Sequence, residues 1–257
     1  MVLQSSGTIS FLNLATEYGV TGQTPYNLDD FYKTVSSGNY TVQGGGIVGP
    51  TGSPNVPTTG QAISLGNFYA QKQRSTTLQS FPPSAMTAHT TVIGGDTYRS
   101  ISDSERTATL NSWKAFNKNT TSGTYGAWQS SDGRFSNNIG NVVTSINGFT
   151  PPSYRGCWIG LTLPAPIFLH SFETAGPAVD FRLYASQNPS DTSSWDMVHE
   201  VTGSPGIFVD ILTHTLSAVT TKPYICFVIF INKVNGASTA GFGRGGMNEI
   251  TFKGYRA

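Results

Sequence analysis

The sequence predicts a mainly β protein, an antiparallel β-sandwich preceded by an irregular N-terminal segment with short helical turns. Three observations carry this. Apolar runs recur in the C-terminal two-thirds, each bounded by clusters of Gly, Pro, Asn and Ser, the pattern of strands joined by turns. These runs do not alternate with long amphipathic helices, which argues for antiparallel pairing over βαβ units. Gly (29) and Pro (14) make up about a sixth of the 257 residues, a composition suited to many tight connections. Charged residues are only 11% and the net charge is +1, which speaks against a nucleic-acid binder that relies on phosphate contacts. An acidic disordered tail is excluded on the same ground.

The first element in the chain is a degenerate repeat. Ser6-Gly7-Thr8-Ile9-Ser10-Phe11-Leu12-Asn13-Leu14 matches Thr59-Gly60-Gln61-Ala62-Ile63-Ser64-Leu65-Gly66-Asn67-Phe68-Tyr69, and Asn27-Leu28-Asp29-Asp30-Phe31-Tyr32 repeats its second half. In each copy a Ser or Asn can cap a short helical turn, with Leu and the following aromatics on one face. Single turns do not nucleate alone, and ordering the backbone costs about 1–2 kcal/mol per residue. Residues 1–77 are therefore expected to gain order by docking on something else. The anchors would be Phe11, Leu14, Leu28, Phe31, Tyr32, Leu65, Phe68 and Tyr69.

Residues 78–257 form the sandwich in this reading. Ser102 to Phe116 is the one expected helix, opening on Ser-Asp-Ser-Glu with acids in its first turn. Strands are expected at Cys157–Leu163, Val179–Ala185, Tyr224–Ile231 and Glu249–Gly254. Cys157 and Cys226 each lie in an apolar run; two buried thiols and a disulfide between neighbouring strands both fit that placement. The start of the chain shows no basic segment followed by an apolar one, so no signal peptide is expected. The run Tyr224–Ile231 is far shorter than the ~20 residues of a membrane helix.

Four ordered blocks in the C-terminal region resemble the discoidin-like, galactose-binding-like jelly rolls, related to coagulation-factor C domains and to many carbohydrate-binding modules. They are Trp113-Lys-Ala-Phe-Asn-Lys-Asn-Thr120 leading to Trp128-Gln-Ser130, then Trp158-Ile-Gly-Leu-Thr-Leu163 with Pro164 and Ile167. Phe181-Arg-Leu-Tyr-Ala-Ser186 with Trp195 and Val198 follows, and Asn248-Glu-Ile-Thr-Phe-Lys-Gly254 closes the series. The resemblance implies that Trp113, Trp128, Trp158 and Trp195 pack the sandwich. It also implies a structural calcium beside the turn at Asn117, with Glu249 as a ligand; Asn117 stands where the family has Asp, which would weaken the site. The Ser-Gly-x-Ile-Ser and Leu-x-Asn-Phe-Tyr pieces of the first segment look like the start of structural proteins of tailed phages, notably phages of marine cyanobacteria.

No catalytic constellation is visible in the sequence. His199-Glu200 lacks a second His at zinc-protease spacing, G-x-S-x-G is missing, and His89, His170 and His214 are isolated in the sequence. Gly241-Phe-Gly-Arg-Gly-Gly246 matches G-x-G-x-x-G, but a strand and not a helix is expected after it, so a dinucleotide site does not follow. As a glycine-rich loop it could instead present Phe242 and Arg244 to a sugar, the ring on the C–H face and the guanidinium to hydroxyls. Tyr154 and Arg155, expected on an exposed loop after Pro151-Pro152-Ser153, are the second candidate pair. The expectation is a non-enzymatic virion structural protein, a tail or fibre protein or surface adhesin. It would be assembled in the host cytoplasm, with other virion proteins and host surface polysaccharide as partners, as a homo-oligomer in the particle, with no nucleic acid and no membrane insertion. The alternative is a decoration or spacer protein that touches only other virion subunits.

Overall fold

The computed structural model describes residues 77–107, 109–119, 128–206, 210–220, 222–235 and 245–257, together with the backbone of two short strands nearer the N-terminus. Those two are β1 (Lys33–Ser36) and β2 (Asn39–Val42), which pair antiparallel with Lys33 opposite Val42. They fall in the segment expected to be irregular, and their β-branched and aromatic residues (Thr34, Val35, Tyr40, Thr41, Val42) suit a hairpin. The eight docking anchors from Phe11 to Tyr69 lie outside the described residues, as do the helical turns expected around them.

The sandwich is built from β3 (Gln79–Phe81), β4 (Thr90–Ile93), β5 (Asp96–Ser102), β6 (Trp128–Gln129), β7 (Phe135–Ser136), β8 (Ile139–Gly140) and β9 (Cys157–Ala175). It continues with β10 (Ala178–Ser186), β11 (Trp195–Val201), β12 (Leu212–Thr215), β13 (Tyr224–Val234), β14 (Gly246–Met247) and β15 (Glu249–Arg256). Every strand pair among the described residues is antiparallel, as the sequence led us to expect.

The long strand β9 belongs to both layers. Its first part, Cys157–Thr162, lies between β13 and β5, and β10 and β11 extend the layer beyond β13. Its last part, Ile167–Ala175, lies between β15 and β12, with β3 beyond β15. The β13 pairing jumps from Thr162 opposite Cys226 to Ile167 opposite Tyr224. Pro164 and Pro166 sit in that gap, where a missing backbone N–H costs no ladder bond.

Alternation along the strands then fills two cores. Cys157, Ile159, Leu161 and Leu163 of β9, Phe227, Ile229 and Ile231 of β13, and Phe181, Leu183 and Ala185 of β10 point into the space between the layers. The intervening Trp158, Cys226, Val228, Phe230 and Tyr184 form a second cluster on the outer face with Trp195, Ile146 and Tyr154. The uninterrupted apolar run of β13 is thus the signature of a strand buried on both faces. It also decides the cysteines. Both are buried free thiols, one in each cluster on opposite faces of one layer.

One expectation is corrected. Ser102–Phe116 is not a helix: Ser102 ends β5, and only Ser112–Phe116 winds into a short 3-10 turn. The acids that suggested a helix start make tertiary contacts instead. Asp103 lies 3.4 Å from Arg134, and Glu105 accepts from the Ser112 amide at 2.7 Å. Trp128, Trp158 and Trp195 are buried as expected, and Trp113 packs half-buried against the main core.

His214 of β12 is part of the inner packing. Its ring stacks on Phe172 at 4.7 Å, meets the edge of Phe181 at 5.4 Å, and its Nε2 lies 2.9 Å from Thr174 Oγ1. Burial, with a smaller contribution from nearby His199, pushes its pKa down to about 4. A folded-state value below the unfolded one means that the neutral ring is what the fold accepts. The stabilisation is therefore complete above pH 6.5 and is lost as pH falls from about 6.5 to about 4. We expect roughly 2 kcal/mol of stability to disappear over that interval, measured by denaturant unfolding at pH 7 and pH 4.5. His214→Gln should flatten the slope; an unchanged slope would mean that other groups set the acid sensitivity.

Candidate functional site

A pocket of about 360 Å³ opens beside the junction of β5 with the first part of β9. It lies within the size range of small-molecule sites. Ser100 and Ser102 come from β5, and Ser104 and Glu105 from the segment that follows it. His89 precedes β4, Ser112 opens the 3-10 turn, and Trp158 lies on β9. Asn147 comes from a tight turn, Ile146-Asn147-Gly148-Phe149, in which the Ile146 and Phe149 amides each donate to the other's carbonyl at 2.9 Å. Both central residues have positive φ, 47° and 85°, as an Asn-Gly hairpin turn requires. The Asn147 side-chain amide donates to the Pro189 carbonyl at 2.9 Å, which fixes the turn at the pocket rim.

The polar groups of the pocket are held by one another. His89 Nδ1 lies 3.1 Å from Ser112 Oγ and 3.4 Å from Ser100 Oγ, and His89 Nε2 faces Glu105 Oε2 at 3.4 Å. Glu105 Oε1 accepts from the Ser112 amide at 2.7 Å and from Ser102 Oγ at 3.5 Å. Trp158 is oriented by its indole N–H, which donates to the Ser145 carbonyl at 3.1 Å. Asp103, between the two pocket serines, turns the other way, into the protein beside Arg134, where burial lifts its pKa to about 6.

Ser112, His89 and Glu105 have the partners of a hydrolase relay, but Ser112 is 0% exposed and its hydroxyl also bonds Ser100 Oγ at 3.0 Å. A carbonyl carbon cannot reach that oxygen, so the trio works as a scaffold. What the pocket presents is a set of hydroxyls, an amide, an imidazole and one carboxylate beside an indole.

The sequence candidates fall elsewhere. Phe242 and Arg244 lie outside the described residues. Arg155 is exposed, but Tyr154, expected on an open loop, is only 8% exposed and belongs to the outer apolar cluster. The Arg182 guanidinium covers its ring at 4.6 Å, so that face is closed to a sugar, while Arg182 also binds Glu200 and the Pro152 carbonyl. Tyr154 and Arg155 line a smaller cavity of about 260 Å³ with Val143, Thr150 and Ser153, separate from the His89 pocket.

Asn117 and Glu249 are brought to one place, with Lys118 between them. Asn117 Oδ1 accepts from the Asn119 amide at 2.9 Å. Glu249 is 3% exposed, and the Lys118 ammonium lies 3.8 Å from its Oε1 while donating to Thr251 Oγ1 at 2.6 Å. Burial pushes Glu249 up to about 7 and Lys118 down, each charge partly offsetting the effect on the other. Among the described residues no three His, Cys, Asp or Glu side chains gather as a metal site, and none forms a helix long and apolar enough to cross a membrane.

No protein-family model matches the chain, and no curated protein matches it. Among solved structures it is similar to chitosan-binding module 1 of a chitosanase/glucanase from Paenibacillus sp. IK-5, at 16% identity over 60% of this chain and 92% of that one, TM-score 0.40. It is similar to the family 32 carbohydrate-binding module of Clostridium perfringens NanJ, solved with galactose, at 12% identity over 61% and 93%, TM-score 0.40. It is also similar to a fucolectin from serum of the striped bass Morone saxatilis, at 11% identity over 62% of this chain and 47% of that one, TM-score 0.44.

Proposed function

We propose that the sandwich recognises a saccharide and that the ligand seats in the His89 pocket. The observation that carries this is the make-up of the pocket. A sugar hydroxyl both donates and accepts, and here Glu105 supplies an acceptor, His89 a ring nitrogen, and Ser102, Ser104 and Asn147 groups of both kinds. Ile101, Ile146 and the small accessible part of Trp158 (7% exposed) form the apolar wall against which the C–H face of a pyranose would rest. The polar groups are preorganised by mutual hydrogen bonds, which lowers the entropy cost of binding. The resemblance of the four sequence blocks to galactose-binding-like jelly rolls supports the same reading.

The setting belongs to the proposal as well. The first segment's likeness to phage structural proteins supports a surface adhesin of a virion, docked through residues 1–77 and contacting host polysaccharide through the sandwich. Many copies in one particle raise a weak single-site affinity through effective concentration.

The test is a glycan array probed with the full chain displayed multivalently. Binding to one class of neutral glycan is expected, and His89→Ala and Glu105→Gln should each weaken it at least tenfold, the loss of about one charge-assisted hydrogen bond. Tyr154→Phe, which keeps the ring under Arg182, should leave it unchanged. A protein that melts normally yet binds no glycan would favour the spacer reading, in which these loops touch only other subunits.

A further inference from the structure

The turn at 117–119 has a cation of its own. We infer that Lys118 is a built-in replacement for the calcium that the resemblance implies beside Glu249, so that this sandwich closes its last strand on an ammonium instead of a metal. Calcium takes six to eight oxygen ligands, and the groups that the described residues gather here are mostly donors. The Lys118 ammonium lies 3.8 Å from Glu249 Oε1 and donates to Thr251 Oγ1, which in turn bonds Glu249 Oε1 at 3.2 Å. The backbone N–H groups of Lys118 and Asn119 also favour the charged form of Glu249, though less than the Lys118 ammonium does. Asn117, at the position of the family's acidic ligand, spends its Oδ1 on the Asn119 amide. Among the described residues, an ion placed here would meet N–H groups and a positive charge where it needs oxygens.

The backbone is shaped for this arrangement. Lys118 holds a left-handed conformation at φ 61°, uncommon for a residue with a side chain, and its stem runs inward to Thr251 on β15. Glu249 Oε2 is buried without a hydrogen bond, and the ammonium, 3.8 Å from Oε1, is the largest single influence favouring the charged form of a carboxylate shut inside the fold. Removing one partner of such a pair leaves an uncompensated buried charge, whereas removing both does not.

Thermal melting of the full chain tests this in two arms. Adding millimolar calcium, or a chelator, is expected to leave the melting temperature of the natural sequence unchanged; a calcium-dependent rise would overturn the inference. Lys118→Met should lower the melting temperature by roughly 5–10 °C, and Glu249→Gln in the same chain should recover most of that loss. If Lys118→Met fails to fold, the Lys118→Met/Glu249→Gln double variant is still expected to fold. A double variant no more stable than Lys118→Met, or a Lys118→Met chain as stable as the natural one, would show that the two charges do not depend on each other and would overturn it.

Discussion

Phe172→Ala is expected to remove about 4 kcal/mol of folding stability, near the middle of the range for deleting a buried aromatic ring. Phe172 lies in the part of β9 shared between β15 and β12, opposite Phe252 on one side and His214 on the other. Its ring also meets Phe181 of the facing layer at 6.4 Å and His199 of β11 at 5.6 Å. Four neighbours on four different strands hold the walls apart, so the void left by alanine cannot close by the shift of one side chain. The same substitution has a second readout. Phe172 is the ring on which His214 stacks, and without it the imidazole is better hydrated, its pKa moves back toward the ordinary value, and the acid-induced loss of stability shrinks. Denaturant unfolding at pH 7 and pH 4.5 measures both. A loss under about 1.5 kcal/mol would show that the inner core collapses around the site.

The strands were legible because burial on two faces leaves a mark in sequence that few other arrangements leave. The run Tyr224–Ile231 is apolar at every position because Phe227 and Ile229 face one core while Val228 and Phe230 face the other. The extent of β9 was not legible. Pro164 and Pro166 read as its end, yet the strand runs on to Ala175, because the prolines fall at the corner where one ladder stops and another begins. The false helix at 102–116 has a similar origin. Ser-Asp-Ser-Glu is a helix start only if its carboxylates serve local amides, and here Arg134 and His89 draw them into tertiary pairs.

The pocket was hidden for a related reason. His89, Glu105 and Ser112 are unremarkable alone, and only the docking of β5 on β9 brings them together. One local signal was present: Ser100, Ser102 and Ser104 recur at a period of two, which places three hydroxyls on one side of an extended chain. Tyr154 shows the converse. Its place after two prolines and a serine suggested exposure, but nothing local reveals that Arg182, far along the chain, lies over its ring.

Gly156→Ala should disturb the fold and the pocket together. Gly156 leads into β9 with φ 134°, a region that residues with a side chain rarely adopt, and a β-carbon there would stand 2.1 Å from the Ile231 carbonyl oxygen of β13. That oxygen belongs to backbone and cannot swing aside, so either β13 or the chain around Gly156 must move. Strain and displacement together are expected to cost on the order of 3 kcal/mol. Gly133→Ala provides the contrast, because Gly133 also has positive φ (79°) but its β-carbon would meet nothing within 4 Å. Strain alone, about 1 kcal/mol, is expected there. The Gly156 amide also donates to the Val142 carbonyl at 2.7 Å, which ties the chain entering β9 to the loop carrying Ile146 and Asn147. With the pocket as the proposed saccharide site, binding by Gly156→Ala should therefore weaken at temperatures where the protein is still folded, while Gly133→Ala should bind as the natural sequence does. Equal melting temperatures for the two variants would mean that the close approach of Gly156 to β13 is not maintained in solution.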